Sequence, residues 1–525
     1  MKEPAGILVA GAGPAGLTLA LQAHDHGAVV RIIDRRPEAV RPSRALILHS
    51  RTLEVLRPLG VAQAILARAD IAPTADLRLG SRAIRVTLAD LALPDTAFPH
   101  LSLVRQTDVE QVLAAALAAR GVRVEHGTGL AGVRDGPEGV RVTLRSAAGA
   151  EETLFGFVAG CDGPASTVRT QAGIGWPGRQ YPVEIILADA EMDGDLADDA
   201  VRVAAGRRGL LFAFRLGEQA TWRLLATRPA GTGPLTPGQF GPPVPAAELQ
   251  ALMDEAGLRA QITGLAWSSR IRVQRRVADR FRQGRLFLAG DAAHAYSPAT
   301  GQGMNAAVQD AANLGWKLAF AAARPGNEPP LDSYDPERLL ASYDMERRPV
   351  ARQVLAMTHL VFWAEAATGP VASALRGYLA PLAAPFVSAL IGRRRLVAEG
   401  IRLISQLRVS YRGSPLSVEG TPRRPGGPRA GERLPDQPVV SAGRSIRLHD
   451  LLAGPGVHIL LDRDAERPGT LPPGRFIDVH RLDSVPGRGL IAVRPDGYIG
   501  FRCRAAATGQ LAAWLTRVAA WPPDA

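Results

Sequence analysis

The run Gly11-Ala12-Gly13-Pro14-Ala15-Gly16 limits the fold more than any other stretch of this chain. Ile7 to Ala10 before it reads as a short buried strand, and Pro14 to His26 after it reads as a helix ending near Gly27. A second apolar run, Val29 to Ile33, closes on Asp34. Strand, glycine turn, helix, strand and an acid about 20 residues on is the pattern of a dinucleotide-binding βαβ unit. Glycines there let the backbone approach a pyrophosphate, whose charge rests on the helix N-terminus. Asp34 is the acceptor expected for the ribose hydroxyls.

A second segment has the same logic. Arg285 to Ala289 reads as a buried strand of the parallel-sheet kind, with Gly290-Asp291 at its carboxyl end, where cofactors lie in such sheets. Pro298-Ala299-Thr300-Gly301-Gln302-Gly303-Met304-Asn305 follows, then helical spacing at Val308, Ala311, Ala312, Gly315 and Leu318. Gly301 and Gly303 bring bare N–H groups to a helix start that carries roughly half a positive charge. That end suits the pyrimidine edge of a flavin, which becomes anionic on reduction.

At 525 residues the chain is too long for one core and predicts two or three domains. The net charge of +12 comes from scattered arginines, since Lys2 and Lys317 are the lysines. The densest runs are Arg393 to Arg395 and Arg423-Arg424, with no basic stripe interleaved with aromatics, so no nucleic-acid partner is expected. Cys161 and Cys503 sit in neither a CxxC nor a Cys/His cluster, which predicts no disulfide, no metal site and a reducing cytoplasm. The N-terminus runs straight into a strand with no secretory leader. Leu360 to Ile391 is apolar, but Glu365, Pro370, Arg376, Pro381 and Pro385 interrupt it, so packed helices are expected rather than a membrane span.

Leu101 to Arg105 reads as a strand leading to Gln106, and Thr107 to Glu110 has capping-box spacing with Thr107 as N-cap. Val122 to Glu125, Val140 to Leu144 and Thr153 to Ala159 read as strands. The first domain is expected to be discontinuous, over 1–180 and 275–410, with long helices at its end. Short alternating segments over 180–275 predict an inserted, mainly antiparallel sheet, which the segment 75–100 is free to join. Pro and Gly crowd 411–433, the composition of a linker, so the tail over 434–525 is expected to be separable from flavin binding. That tail carries a hairpin signal at Arg494 to Gly497 and a last helix from Thr508 to Val518.

With Cys161 to Arg169, Gly284 to His294 and Asp310 to Leu318 added to these motifs, the chain resembles the single-component FAD-dependent aromatic hydroxylases, relatives of para-hydroxybenzoate and phenol hydroxylases. Among them it is most similar to the bacterial aromatic polyketide and rifampicin hydroxylases with a C-terminal thioredoxin-like domain. The resemblance implies a Rossmann-like α/β FAD-binding domain, an inserted antiparallel substrate sheet, and a thioredoxin-like tail, here without CxxC. It implies cofactor contacts from Gly11, Gly13, Pro14, Ala15, Gly16, Asp34, Arg35, Gln106 and Asp162, and from Asp291, Pro298, Gly301, Gly303, Met304 and Asn305. Arg44 would reach the cofactor phosphates beside the nicotinamide path, and Pro298 would flank the flavin where oxygen reacts; these two are the catalytic candidates. No metal is implied.

The implied chemistry is reduction of FAD by NADPH or NADH, addition of dioxygen, and transfer of one oxygen from a flavin hydroperoxide to an aromatic, polycyclic polyketide-type substrate. A Baeyer–Villiger or epoxidising enzyme on the same fold is the alternative, and a monomer or homodimer is expected. No Trp-x-Trp pair supports a halogenase. Phe212, Phe214 and Trp222 are candidates for the substrate face or for plain core. Thr300 departs from the family, where glycine is frequent; His294 reads as structural, and Cys161 as a packed small residue.

Overall fold

Strands buried on both faces carry unbroken apolar runs, and the first motif begins with one. The computed structural model describes residues 6–38, 47–71, 74–79, 82–87, 91–194, 200–206, 209–215, 222–230, 241–323, 336–366, 393–468, 476–505 and 507–519. In chain order the elements that matter begin with β1 (Ile7–Ala10), α1 (Pro14–Asp25), β2 (Val30–Asp34), α2 (Gln106–Ala119) and β3 (Phe157–Gly160). Next come β4 (Gly178–Gly194), β5 (Gly209–Arg215), β6 (Trp222–Pro229), β7 (Ala260–Val277), β8 (Leu286–Leu288), α3 (Gln302–Ala322) and α4 (Pro336–Ala366). The chain closes with β9 (Val457–Asp462), β10 (Ile477–Leu482), β11 (Leu490–Val493), β12 (Ile499–Cys503) and α5 (Thr508–Arg517).

One sheet runs β8, β3, β1, β2 and Val124–His126, all parallel, with Arg282–Gln283 antiparallel at the edge. α1 and α3 pack together at glycines: a Cβ on Gly315 would lie 2.7 Å from Gln22 Cβ. A second, eight-stranded sheet runs His294–Ala295, β7, β4, β6, β5, Ala200–Gly206, Thr74–Leu79 and Arg82–Thr87. It is antiparallel except where Ala200–Gly206 meets Thr74–Leu79, so strands from before residue 100 share it with those after 178. His294–Ala295, directly after the Gly290-Asp291 turn, hydrogen-bonds to the end of β7 and so fixes this sheet against the first one.

The tail forms a mixed sheet in the order Val418–Glu419, β12, β11, β9, β10, covered by α5. Its core is completed from outside: Trp316 and Phe320 of α3 and Leu339 of α4 belong to the same buried cluster as Val457, Phe501 and Trp514. This corrects the expectation of a free linker over 411–433. Tyr411, Leu416, Ala430 and Leu434 of that neighbourhood are buried, and the Trp514 indole donates to Leu416 O at 2.9 Å. Proline and glycine here serve a packed connection, because its backbone groups bond the tail's own sheet, as Gly431 N does to Ile499 O at 2.7 Å.

The capping box is also corrected. α2 starts at Gln106 with Arg105 as N-cap and no side-chain cap, which puts Thr107 inside the helix. The Gln106 side chain instead bonds Glu110 one turn on, at 2.7 Å. The hairpin signal is realised as a tight turn, with Gly497 at φ +76° and its N–H bonded to Arg494 O at 2.8 Å. Of the apolar stretch at 360–391, residues 367–392 lie outside the described residues, and no described helix is long and apolar enough to cross a membrane.

Candidate active site

Three motifs distant in sequence end on three adjacent parallel strands. Gly11 follows β1, Cys161-Asp162 follows β3, and Gly290-Asp291 follows β8, so all open at the carboxyl edge of one sheet. The contacts are tight enough to require glycine. At Gly11, φ is +105° and a Cβ would sit 2.3 Å from Cys161 O; at Gly16 a Cβ would sit 1.8 Å from Gly11 O. Gly290 has φ +62°, and a Cβ there would press on Ala15 at 3.1 Å and Ala307 at 3.0 Å. The starts of α1 and α3 therefore face a common edge with little side chain between them. Pro14 stands in the first turn of α1, where its missing N–H costs nothing.

Asp34 closes β2 at this edge and is buried. It accepts from Ala12 N and Arg36 N, each at 2.9 Å, and from the Arg36 guanidinium. Burial works to raise its pKa, but the Arg36 bonds outweigh this and hold it below the ordinary carboxylate value. Arg35, expected at the cofactor, is exposed; the partner of Asp34 is Arg36, which sequence reasoning passed over. Beside this pair, burial pushes the Glu110 carboxyl up to about 7, opposed by the Gln106 amide and by Arg36. Gln106 is thus tied through Glu110 to the Asp34–Arg36 pair.

Ser166 caps the helix Thr167–Gln171, Asp162 accepts its first N–H, from Thr167 at 2.7 Å, and the second oxygen of Asp162, Oδ1, is buried without a partner. Asp291 is exposed at the edge. Arg44 lies outside the described residues. Pro298 is exposed and opens a tight turn that leads through Gly301, at φ +66°, into α3. A Cβ on Gly303 would meet open space, and Met304 is buried in the core.

The structure puts the Asn305 side chain to structural use. It donates to Ile47 O and Gly301 O at 2.8 and 2.7 Å and accepts from His49 N and Thr52 Oγ1 at 2.9 and 2.6 Å. This locks the Pro298–Gly301 loop to the segment 47–52. Thr300 sits at φ +67°, a left-handed conformation that disfavours β-branched residues, with its Oγ1 buried and unpartnered. Its carbonyl is 2.9 Å from His49 Nε2, and burial holds the His49 imidazole down at about 4. His294 is buried against Asp310 at 2.5 Å, and Asp310 also takes Arg347 at 2.7 Å. Burial would raise Asp310, but Arg347 and His294 hold it below the usual range.

Ile47 links the loop to the second sheet. A Cβ on Gly301 would meet Ile47 at 3.0 Å, and Ile47 packs in a cluster with Leu103, Val201, Phe212 and Phe214. Phe212 and Phe214 stack with ring centroids 5.9 Å apart. Trp222 lies elsewhere, in a core with Leu249 and Met253 of the helix Ala246–Glu255. Next to Pro298, Ser297 is buried, and the nearby Tyr181 hydroxyl of β4 meets His359 Nδ1 of α4 at 3.1 Å, a titratable pair the sequence gave no reason to join.

Away from this sheet edge, the tail inserts charge into the main body. Arg494 is buried and donates to both oxygens of Glu346 at 2.7 and 2.8 Å and to Asp496; Lys317 donates to Glu346 at 2.7 Å. The sequence predicts no metal-ligand cluster either. The structure brings His458, Asp478 and His480 together, because neighbouring strands align residues far apart in the chain.

The glycine cradle, the acid at the end of β2 and the unpartnered Asp162 oxygen fit a bound dinucleotide such as FAD. Comparisons with known proteins agree. A family model described as FAD binding domain matches residues 5–358, and one described as aromatic-ring hydroxylase, C-terminal, matches 427–522. The 6-methylpretetramide 4-monooxygenase of Streptomyces rimosus is 32% identical over 99% of this chain and 94% of its own length. The rifampicin monooxygenase of Streptomyces venezuelae is 34% identical over 66% of this chain and 69% of its own. The solved anhydrotetracycline hydroxylase of Streptomyces rimosus superposes with a TM-score of 0.75 at 28% identity, over 99% of this chain and 100% of that one.

Proposed function

Since the chain belongs to the FAD-dependent aromatic-ring hydroxylases and is a flavin-dependent monooxygenase, we propose that it uses NADPH or NADH and dioxygen to hydroxylate a polycyclic, polyketide-type aromatic substrate. The observation that carries the reading is the meeting of the Pro298–Gly301 loop, through Ile47, with the apolar face that bears Phe212 and Phe214. A flat aromatic ring is matched by stacked rings and aliphatic side chains, which exclude water without hydrogen-bonding the ring. FAD, when bound, supplies hydride acceptance and oxygen activation; the chain supplies position and electrostatics.

We assign the residues as follows. Gly11, Gly13, Pro14, Ala15 and Gly16 would receive the pyrophosphate at the start of α1, and Asp34, with Arg36 swung aside, the ribose. Gln106 and Asp162 would flank the phosphate and ribityl region, and Asp291 would accept the ribityl hydroxyls. Gly301, Gly303 and Met304 would present the backbone at the start of α3 to the flavin edge, where the helix dipole favours the reduced, anionic ring. Pro298 would bound the reacting face, and Arg44 the nicotinamide path. Asn305 acts behind these by holding the loop.

The tail reads as thioredoxin-like: a parallel pair, β9 and β10, an antiparallel pair, β11 and β12, and a closing helix. Without CxxC it has no dithiol chemistry, and Cys503 is buried, donating to Pro422 O at 3.3 Å. Two separate free thiols suit a reducing cytoplasm.

The test is NAD(P)H oxidation by the purified enzyme across a panel of phenols, naphthoquinones and polycyclic polyketides, followed by product analysis under labelled dioxygen. Substrate-stimulated oxidation with one labelled atom in a ring hydroxyl is expected. A lactone would favour the Baeyer–Villiger alternative. Oxidised substrate without label would overturn the monooxygenase reading.

A further inference from the structure

We infer that His458, His480 and Asp478 form a site for a divalent transition cation of the zinc class on the C-terminal sheet. The register of the parallel pair places His458 opposite Asp478, with His480 two residues further along β10 and so on the same face. His458 Nδ1 lies 3.2 Å from His480 Nε2 and 3.8 Å from Asp478 Oδ2, and the three ligand atoms lie within 4.8 Å of one another. A hydrogen bond between the two rings accounts for two of these groups but not for the carboxylate converging on the same nitrogen.

The tautomer points the same way. His458 Nε2 is 3.0 Å from Gly454 O, and a carbonyl can only accept, so Nε2 carries the proton. In the neutral ring, the form that binds metal, Nδ1 then offers its lone pair toward His480 and Asp478. A metal-binding histidine ordinarily donates its other N–H to a backbone carbonyl or carboxylate in this way, which fixes ring and tautomer together. Gly454 also leaves room for the acid, since a Cβ there would sit 3.3 Å from Asp478 Oδ2.

Two imidazole nitrogens and one carboxylate oxygen form a borderline donor set that suits zinc, cobalt, nickel or copper and disfavours magnesium and calcium. The site has an inside and an outside: the His458 side chain is 3% exposed and that of Asp478 is 56% exposed. Water can complete the coordination, and the cation can enter, on the Asp478 side. A bound cation would clip β10, which is an edge strand, to β9. Gly456, two residues before His458, donates to His26 Nε2 at 3.0 Å, so the clip lies close to the contact between the tail and α1.

The experiment is calorimetric titration of chelator-treated holoenzyme with zinc chloride, with X-ray absorption at the zinc edge. One saturable site per chain with two imidazole ligands is expected. His480→Gln and Asp478→Asn, at the less buried positions, should each weaken zinc by about 10-fold or more, since losing even a partner behind a ligand costs 10- to 100-fold. His126→Gln, an exposed histidine on another domain, should leave the affinity unchanged. Flavin absorbance should be unaltered in all three variants, showing that each is folded. Absence of saturable uptake, or a site that survives His480→Gln unchanged, overturns the assignment.

Discussion

Replacing Arg494 by alanine should weaken the whole enzyme, not the tail alone. Arg494 and Lys317 face Glu346 and Asp496 in a buried cluster, two positive charges against two negative. Burial would raise Glu346, but Arg494 and Lys317 hold it ionised, well below the carboxylate range. Removing Arg494 leaves one uncompensated buried negative charge, a defect that costs about 3–5 kcal/mol. The damage has a direct route to the cofactor. Lys317 and Asn313, which bond Glu346, sit on the same helix whose first turn holds the Pro298–Gly301 loop. Denaturant unfolding followed in parallel by far-UV circular dichroism and by the rise in free-flavin fluorescence reads both effects. Both midpoints should fall together. The double variant Arg494→Met with Glu346→Gln should lose less than the sum of the singles, because it removes charge on both sides. A loss under about 1 kcal/mol in Arg494→Ala, or an early tail transition with flavin release unmoved, would refute the claim that the cluster joins the two parts.

Three further outcomes follow from the site. Asp291→Ala should weaken FAD about 10- to 150-fold in a folded protein, the value of charge-assisted bonds of about 1.5–3 kcal/mol; unchanged affinity by flavin-quenching titration would remove Asp291 from the cofactor. Thr300→Gly should stabilise the flavin-free protein by about 1–2 kcal/mol by relieving the positive φ, and a drop in denaturant midpoint would show that the Thr300 side chain is needed where it is. Glu110, raised by burial from 4.5 to about 7, keeps a proton that the unfolded chain releases. Flavin-free protein should therefore lose up to about 3 kcal/mol as pH climbs through that window, and Glu110→Gln should flatten this slope in pH-dependent unfolding.

How much of this could be read from the chain depends on the range of the interaction. Gly11, Gly16 and Gly290 were legible because each belongs to a recognisable local pattern of strand end and turn, although at Gly11 and Gly290 the atoms a Cβ would strike, Cys161 O and Ala15 Cβ, come from distant parts of the chain. Asp34 was legible for the same reason, through its spacing from the turn. Arg36 was not, since adjacent arginines at 35 and 36 offer the same chemistry and only the backbone's path past β2 decides which one turns inward. Phe212, Phe214 and Trp222 are equally aromatic in sequence, yet sheet pleating and the helix Ala246–Glu255 send Trp222 to a different core. The tail shows the limit most clearly. Pro and Gly in 411–433 state how the connection bends and say nothing of what it packs on. The charges that fix the tail, Arg494 against Glu346 and Lys317, are separated by well over a hundred residues and carry no periodic signal. Composition reads such a segment as detachable, while the buried ion cluster bonds it to α3 and α4. A local rule finds the cofactor turn; the coupling between turn and tail exists only in the folded arrangement.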